Sequence, residues 1–458
     1  MNNRSMTMGH LYKKGIGLAV MLLMTGGVSA AEYNIKDYGA VSDTTQLSTV
    51  AVQQAIDACS SAGGGRVLVP AGQYKIGTII MKSHVNLHLE HGATLFGSTD
   101  LADYIPVQSD YLSLRTQTTT IQLIYGDNVD DVSITGTGTI DGRGSSFKKL
   151  SWNDEGITRP HLLRFINSRD IHVQDVTLKN SGCWMQHYLA CDRLQIRGIK
   201  VFNRNNYNND AIDIDGCHDV TLSDMIADSD DDAITLKSTS PRLCENITIT
   251  NCVVSSHCNG IKLGTESNGG FKNITVSHCI VKPSDDQSTQ FFGDKSKRGT
   301  SAISLEIVDG GIMENVHVSD ILVEGTESPI FIRLGNRARP YAEGTQVENV
   351  GTIRHIRLHD ITVHGAGNTG CSITGLAGHP VEDISLSNIY ISHAGGCGRV
   401  AAPGDEKEKE YPEATMWGVL PAKGFYVNHA RHVVFNGIEV HTDVEDARPL
   451  FVKHDVRP

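Results

Sequence analysis

Residues 194–201 read LQIRGIKV, and the pattern of this short stretch recurs along the chain. Apolar residues alternate with polar ones, a small or polar residue interrupts the run, and a second alternating run follows. The pattern returns as VTLSDMIA at 220–227, ITITNCVV at 247–254, ITVSHCIV at 274–281 and ISLSNIYI at 384–391. A period of two is typical of β-strands that bury one face. Each repeat therefore predicts two short strands joined by a bend.

The spacing of the repeats predicts how these strands are arranged. Their starts are 23 to 28 residues apart between Ile171 and Ile274 and between Ile356 and Ile384, and 39 to 49 residues apart elsewhere. A β-rich repeat of this length is the signature of a solenoid, in which the strands of each coil pair with those of the previous coil. We therefore predict an all-β fold with one parallel β-helix domain over residues 32–458.

The two ends and the long gaps of the repeat also carry information. The segment STVAVQQAIDACSSAGGG at 48–65 predicts an amphipathic helix that begins at Ser48 or Thr49, ends at the glycine run and caps the first coil. Three polar insertions, at 285–300, 337–346 and 404–417, predict loops on one side of the solenoid, where repeat proteins place binding loops. A mobile charged loop is the alternative for 405–413.

The first 31 residues predict export. Lys13 and Lys14 precede the apolar run GIGLAVMLLM and the small residues of TGGVSAAE, which is the arrangement of a secretory signal peptide. We expect cleavage after Ala30 or Ala31 and a periplasmic or secreted protein. No later segment is apolar enough to cross a membrane, and the net charge of −12 argues against general binding to nucleic acid.

The ten cysteines have two possible roles in an exported chain. Disulfides are permitted in an oxidising compartment, and the candidate pairs are Cys183 with Cys191 and Cys371 with Cys397. The preferred alternative is that most of the cysteines are buried as small hydrophobic residues. Their spacing matches no zinc-binding pattern.

Aspartates are crowded into residues 208–238, NNDAIDIDGCHDVTLSDMIADSDDDAITLKS, which hold nine of them. Asp210 precedes Asp231 by 21 residues, about one coil, so stacking would bring Asp210 beside Asp231 and Asp232. Asn259 precedes the matching strand of the next coil. Asp210 and Asp232 reach the outer surface only if the chain bends before their strands, because they have the parity of isoleucines that we expect to be buried.

Neighbouring carboxylates suit a particular chemistry. Their repulsion raises the pKa of at least one group, and a glycoside hydrolase needs one protonated acid and one carboxylate that activates water. A calcium site is one alternative, and a role in solenoid turns is another. We prefer the turn role for four of the nine aspartates, namely Asp213, Asp215, Asp219 and Asp224.

At these residues the chain resembles the family 28 glycoside hydrolases, the polygalacturonase-like enzymes. The segment Asn208-Asn209-Asp210 matches the family's Asn-x-Asp motif, and Asp231-Asp232 matches its Asp-Asp motif. Residues 33–74 resemble the family's N-terminal cap, and TGTGTIDGRG at 135–144 and GTESNGGFKNI at 264–274 resemble its exported bacterial branch. The resemblance covers nearly all of the chain after the predicted signal peptide.

The resemblance implies a right-handed parallel β-helix that hydrolyses α-galacturonic acid linkages of pectic poly- or oligosaccharides with inversion. Asp231 would be the general acid, and Asp210 and Asp232 would hold and deprotonate the water. Asn208 would be a substrate contact. The resemblance implies no metal and no other cofactor, and we expect a monomer.

Two family motifs are altered in this chain. The Gly-His-Gly motif aligns with Cys258-Asn259-Gly260, and the carboxylate-binding Arg-x-Lys motif aligns with Ser304-Leu305-Glu306. The candidate replacements for substrate binding are His257 and Asn259 for the histidine, and Lys237, Lys262, Arg333 and Arg337 for the cations. Trp184 and His187 are candidates to stack on a sugar and hydrogen-bond with it. The alternatives are a structural polar role for His257, ordinary solvent-facing side chains for Lys237 and Lys262, and a place in the core for Trp184.

The altered motifs, with the acids intact, predict an unusual substrate, such as galacturonic acid joined to rhamnose, and the insertions favour cleavage from chain ends. Two other functions stay open. One is a calcium-dependent lyase of the pectate-lyase type, and the other is a carbohydrate-binding β-helix without catalysis.

Overall fold

The repeated segments form strands that pair in register from coil to coil. Leu194 pairs with Val220, Val220 with Ile247 and Ile247 with Ile274, always in parallel. The computed structural model of the protein describes residues 31–151, 154–284 and 298–458, and 31 strands join there in one continuous sheet. The predicted parallel β-helix is confirmed. The predicted signal peptide up to Ala30 and loop residues 285–297 lie outside the described residues.

The strands fall into three stacks that follow the solenoid. One of them, called the site sheet below, pairs successive strands of every coil and carries the candidate active site. Its strands are Ile79–Ile80, Gln122–Asp127, His161–Ile166, Gln186–Leu189, Ile212–Asp215, Ile234–Ser238, Asn259–Ser267, Gly299–Ile307, Thr326–Leu334, Cys371–Thr374, the start of Phe425–Val444, and Phe451–Arg457.

The other two stacks form the remaining faces of the solenoid. The second stack contains Glu32–Asn34, Gly65–Val69, Val85–Leu89, Asp130–Gly136, Arg169–Gln174, Asp192–Arg197, His218–Ser223 and Cys244–Thr250. The third contains Gly72–Ile76, Ala93–Gly97, Thr139–Asp141, Thr177–Lys179, Lys200–Asn203, Ile226–Ser229 and Val253–Ser256. Longer strands then run through the bend and belong to both stacks, namely Gly270–Lys282, Ile312–Glu324, Thr352–Ala366, Val381–Gly395 and Phe425–Val444.

The core is a continuous column of apolar side chains inside the coils. On the site sheet, Ile212 pairs with Ile234, and Ile234 pairs with Ile261. All three are fully buried. Each such residue stabilises the fold by about 1.5–3 kcal/mol through removal of its side chain from water. The alternation leaves every second residue of the site sheet facing outward.

The predicted capping helix is present as Thr49–Ser61, with Ala51, Val52, Ala55, Ile56 and Cys59 buried against the first coil. Ser48 is the N-cap residue, but its hydroxyl hydrogen-bonds to the backbone of Val41 rather than to the helix. Short 3-10 helices span Ile35–Tyr38, Leu101–Asp103 and Gly144–Ser146. Across the described residues, no helix has the length and apolar character needed to cross a membrane.

All ten cysteines are free thiols, so neither candidate disulfide forms. Cys183 and Cys191 precede and follow the extended strand Gln186–Leu189, and this strand separates them along its axis. Nine of the ten are buried, as the preferred alternative predicted. The thiol of Cys217, for example, donates to the carbonyl of Tyr188 at 3.1 Å.

Candidate active site

A cavity of ≈ 450 Å³ opens beside strands Ile212–Asp215 and Ile234–Ser238. All three predicted catalytic residues, Asp210, Asp231 and Asp232, line it. Of the nine predicted substrate contacts, Asn208, Trp184 and Lys237 line it as well. The remaining lining residues are Arg115, Glu155, Cys258, Glu266, Arg339, Tyr411 and Glu413.

A bend before the strand brings Asp210 to the cavity. Asn208 has a left-handed backbone with φ of 55°. The side chain of Asn209 accepts from the backbone of Asn206 at 2.6 Å and donates to the carbonyl of Cys183 at 2.9 Å. Because these bonds fix the bend, Asp210 lines the cavity although Ile212, which has the same parity, stays in the core.

Backbone pairing places the predicted residues on successive rungs. The amide of Ala211 donates to the carbonyl of Asp232 at 3.0 Å, and the amide of Ala233 donates to the carbonyl of Asn259 at 2.9 Å. Neighbouring strands are about 4.8 Å apart. Asp210, Asp232 and Asn259 therefore lie side by side across three coils, as the sequence predicted.

Two of the predicted lysines contact the aspartates. Nζ of Lys237 lies 3.7 Å from Oδ2 of Asp210 and 3.4 Å from Oδ1 of Asp213. Nζ of Lys262 lies 3.1 Å from Oδ2 of Asp232, although Lys262 itself is behind the cavity wall. Both lysines are buried, so each charge acts on its partner with little screening by water.

The environment separates the pKa values of the two adjacent aspartates. Burial and the charge of Asp232 raise the pKa of Asp231 to about 7. Burial acts in the same direction on Asp232, but Lys262, Lys237 and a hydrogen bond from Asn259 outweigh it and lower the pKa of that carboxyl. Asp231 can therefore hold a proton near neutral pH while Asp232 is ionised.

The pKa values of two further aspartates are also raised. Burial and the charge of Asp213 raise the pKa of Asp210 well above its usual range. Burial raises the pKa of Asp213 to about 8 against the opposing effect of Lys237. Asp210 also has one carboxyl oxygen, Oδ1, that is buried and has no hydrogen-bond partner in the described part of the chain.

Asp213 and Asp215 do not have the turn role expected from the sequence. Both lie on strand Ile212–Asp215 and point outward, opposite to the buried isoleucines. Asp215 accepts from the hydroxyl of Thr239 at 2.6 Å and contacts Nε2 of His187 at 3.1 Å. Asp219 and Asp224, by contrast, are exposed at left-handed bends with φ of 57° and 58°, where turn residues are expected.

Three predicted substrate contacts are buried against acidic partners. His257 contacts Oδ1 of Asp230 at 2.8 Å and is fully buried, so it does not line the cavity. His187 is held by Asp215. Asn259 donates through Nδ2 to Oδ1 of Asp232 at 2.6 Å. Asn259 thus orients a catalytic candidate rather than contacting the cavity itself.

Arg333 and Arg337 also lie outside the cavity lining. Arg333 donates to the carbonyl of Glu406 at 2.5 Å and lies over the ring of Trp417. Arg337 pairs with Asp309 and lies 5.7 Å from the ring centre of Tyr411. Both arginines therefore position the residues of the 404–417 insertion.

Trp184 lines the cavity beside two cations. The guanidinium carbon of Arg115 lies 4.4 Å from its ring centre, and Nζ of Lys237 lies 4.7 Å from it. Such contacts are favourable because the face of an aromatic ring is electronegative. The ring thus helps to hold both cations at the cavity.

Sequence reasoning missed the loop before the first long strand of the site sheet. This loop, residues 104–121, brings Arg115 to the cavity, where Nη2 lies 3.3 Å from Oε1 of Glu266. It also meets the 337–346 insertion, since Gln117 donates to the carbonyl of Tyr341 at 2.8 Å. Its sequence has no apolar period that could predict this position.

The 404–417 insertion supplies two further cavity residues, Tyr411 and Glu413. The hydroxyl of Tyr411 accepts from Nζ of Lys262 at 3.3 Å. Glu413 adds a carboxyl group beside Asp231 and Asp232. The prediction that this loop borders the binding site agrees with this arrangement.

One group of side chains has the spacing of a metal site. A carboxylate oxygen from each of Asp231 and Asp232 and the sulfur of Cys258 lie within 4.8 Å of one another. Calcium prefers six to eight oxygen ligands, whereas this group includes a thiol, and Lys262 occupies one face of Asp232. The donor set does not fit calcium.

Comparison with known proteins identifies the family of this chain. The sequence model of glycosyl hydrolases family 28 matches residues 59–402. The chain belongs to this family. A probable polygalacturonase of Vitis vinifera is 32% identical over 215 residues, and an exo-poly-alpha-D-galacturonosidase of Dickeya chrysanthemi is 37% identical over 144 residues.

The extent of these similarities differs between sequence and structure. The sequence matches cover 45% and 30% of this family 28 chain. The chain spans less than half of each relative, 44% of the first and 23% of the second. The crystal structure of an exopolygalacturonase from Thermotoga maritima superposes with a TM-score of 0.69 over 90% of this chain and 92% of that one, at 20% identity. That likeness supports the fold.

Proposed function

We propose that the protein hydrolyses α-glycosidic bonds of galacturonic acid in pectic saccharides. The observation that carries the proposal is the separation of pKa values within one cavity, where Asp231 holds a proton to about pH 7 beside an ionised Asp232. Adjacent carboxyl groups in opposite protonation states are the acid and base that glycoside hydrolysis requires. Membership of family 28 supports the same chemistry.

In the proposed mechanism the reaction is a single displacement with inversion. Asp231 donates its proton to the glycosidic oxygen as the bond to the leaving sugar breaks. Asp232, held ionised by Lys262 and Asn259, accepts a proton from the attacking water. Oδ1 of Asp210, which has no hydrogen-bond partner in the ranges described, helps to orient this water.

Two loops support cleavage from chain ends. The contact between Gln117 and Tyr341 joins loop 104–121 to the 337–346 insertion, and each loop contributes an arginine, Arg115 or Arg339, to the cavity. Joined loops close a groove to a continuing polymer, while the arginines suit the carboxylate of a terminal uronic acid. We therefore propose exo-acting hydrolysis.

Product analysis tests the reaction. The protein is incubated with homogalacturonan and rhamnogalacturonan fragments, and the products are followed by proton NMR and by absorbance of unsaturated uronate. We expect saturated galacturonic acid, released first as the β-anomer, because inversion of an α-linkage gives this anomer. Initial release of the α-anomer would refute inversion.

The same experiment separates the alternatives. A rising absorbance that a chelator abolishes would support a calcium-dependent lyase. Binding without any product would support a carbohydrate-binding β-helix. Release of internal oligosaccharides in place of terminal sugar would refute exo action while leaving hydrolysis intact.

We also propose that the protein is exported and that it is a monomer. Residues 1–31 have the sequence of a signal peptide, and N-terminal sequencing of protein from the periplasm and the medium tests cleavage after Ala30 or Ala31. Light scattering of the purified protein tests the monomer.

A further inference from the structure

Two groups of side chains with different charge border the catalytic aspartates. The cationic group consists of Arg115, Lys237 and Arg339 around Trp184 and Glu266. Nζ of Lys237 lies 3.6 Å and Nη2 of Arg339 lies 2.5 Å from the carboxylate of Glu266. Arg115 also pairs with Glu155, which lines the same cavity. Three cations therefore face two carboxylates, and the group keeps a positive excess that suits a uronate.

The acidic group lies beside Asp231 and consists of Glu413, Tyr411 and Cys258. Glu306, which stands where the family has the lysine of Arg-x-Lys, is fully buried close to Glu413. The nearest cation, Lys262, is shared between Asp232 at 3.1 Å and the hydroxyl of Tyr411 at 3.3 Å. A carboxylate placed here would lose its hydration and find no free cation among the described residues, because Lys262 is already paired.

Glu413 has unused hydrogen-bonding capacity in this group. Its Oε2 is buried and has no hydrogen-bond partner within the described ranges. Burial and the charges of Glu306, Asp232 and Asp231 raise the pKa of Glu413 to about 8. At neutral pH it is therefore a carboxylic acid that can donate a hydrogen bond.

The loop that carries Glu413 is fixed to the solenoid. Arg333 donates to the carbonyl of Glu406, the indole of Trp417 donates to the carbonyl of Asp405 at 3.0 Å, and the amide of Asn336 donates to the carbonyl of Glu408 at 2.6 Å. These contacts fix the backbone of residues 405–408 and join it to Trp417 beyond Glu413, so the segment that carries the carboxyl group is held at the cavity before a ligand binds.

We propose that the acidic group is the leaving-group subsite and selects an uncharged sugar, with Glu413 as the specificity-determining residue that donates a hydrogen bond to a hydroxyl of that sugar. The inference rests on the proposed function, since Asp231, the proton donor to the leaving oxygen, adjoins this group. The attacked galacturonate then lies toward the cationic group. Rhamnose and methyl-esterified galacturonate are uncharged sugars of the required kind.

The test compares three dimers at pH 7. They are digalacturonate, the same dimer with a methyl ester on its reducing-end unit, and galacturonyl-rhamnose. The first two differ only in the methyl ester, which removes the charge of the leaving unit. We expect kcat/KM for the ester to exceed that for the acid at least about tenfold, the ratio that about 1.4 kcal/mol of uncompensated carboxylate desolvation produces.

Replacing Glu413 by lysine tests whether this residue sets the preference for an uncharged leaving sugar. In Glu413→Lys the added cation should lower the ester-to-acid ratio at least about tenfold, because it pairs with the carboxylate of the leaving unit. Glu408→Lys is the matched control, since Glu408 belongs to the same loop but is exposed outside the cavity. We expect it to leave the ratio unchanged.

The outcomes are distinct. A wild-type ratio near or below one overturns the inference without any variant, while hydrolysis of both dimers leaves the proposed function intact. An unchanged ratio in a folded Glu413→Lys protein overturns the role of Glu413. Absence of hydrolysis with all three dimers refutes the proposed function and the inference together.

Discussion

Replacement of Asp231 by asparagine tests the assignment of the general acid. Asparagine has nearly the same shape but cannot supply a proton. A positioned proton donor contributes about 10²- to 10⁴-fold, so we expect kcat/KM on galacturonate dimers to fall by this factor, equivalent to about 3–5 kcal/mol. The matched control is Asp224→Asn, which makes the same change at an exposed bend one strand away.

The pH profile makes the prediction specific. With a pKa of about 7, Asp231 is protonated in about one molecule in ten at pH 8. Wild-type kcat/KM should therefore decrease about tenfold per pH unit above 7, and this alkaline limb should disappear in Asp231→Asn. An identical limb in the variant would mean that another group supplies the proton.

The leaving group provides a second readout. The nitrophenolate of 4-nitrophenyl α-galacturonide departs without protonation, so its hydrolysis should fall less than about tenfold in Asp231→Asn. An equal loss on nitrophenyl and sugar substrates would refute the role of Asp231 as proton donor and would favour general damage to the site.

Stability should change in the opposite direction to activity. The folded state keeps the proton of Asp231 up to about pH 7, whereas the unfolded chain loses it near 3.8, so this group lowers the free energy of unfolding as the pH rises between these values. Asparagine removes the effect, and we expect Asp231→Asn to be more stable than wild type at pH 8 by about 1–3 kcal/mol. Urea unfolding measures this difference, and lower stability of the variant would contradict the raised pKa.

Three further predictions concern the surroundings of the site. Lys237→Met removes one of the two cations that, with Lys262, lower the pKa of Asp232, so the acidic limb of the kcat/KM profile should move upward by at least about one pH unit. An unmoved limb would contradict this. His257→Leu removes the imidazole that contacts buried Asp230 at 2.8 Å and should lower the free energy of unfolding by about 2–4 kcal/mol, while kcat falls less than tenfold. The reverse pattern in urea unfolding and kinetics would give His257 a catalytic role. Dithiothreitol should leave the thermal unfolding midpoint unchanged because the cysteines are free thiols, and a clear decrease would reveal a disulfide.

The sequence predicts the solenoid more completely than the site that the solenoid carries. The apolar period of segments such as LQIRGIKV reports directly which face of a strand is buried, and the repeat length reports which strands are neighbours. The adjacency of Asp210, Asp232 and Asn259 follows from that arithmetic alone and is present in the structure. His257 and Arg333 are of residue types that suit substrate binding, but the partners that hold them away from the cavity, Asp230 and Glu406, carry no signal in the pattern.

The sequence by itself determined the coil, its apolar column and the successive rungs on which the three aspartates lie, because these are properties of short segments repeated at nearly constant intervals. Only the tertiary structure decided which charges surround them. Arg115 and Glu413 reach the cavity from irregular loops nearly 300 residues apart in the chain, and a loop takes its position from contacts with distant coils rather than from a period of its own. The protonation of Asp231 and the charge of the two subsites depend on those contacts, since burial and neighbouring charges set each pKa.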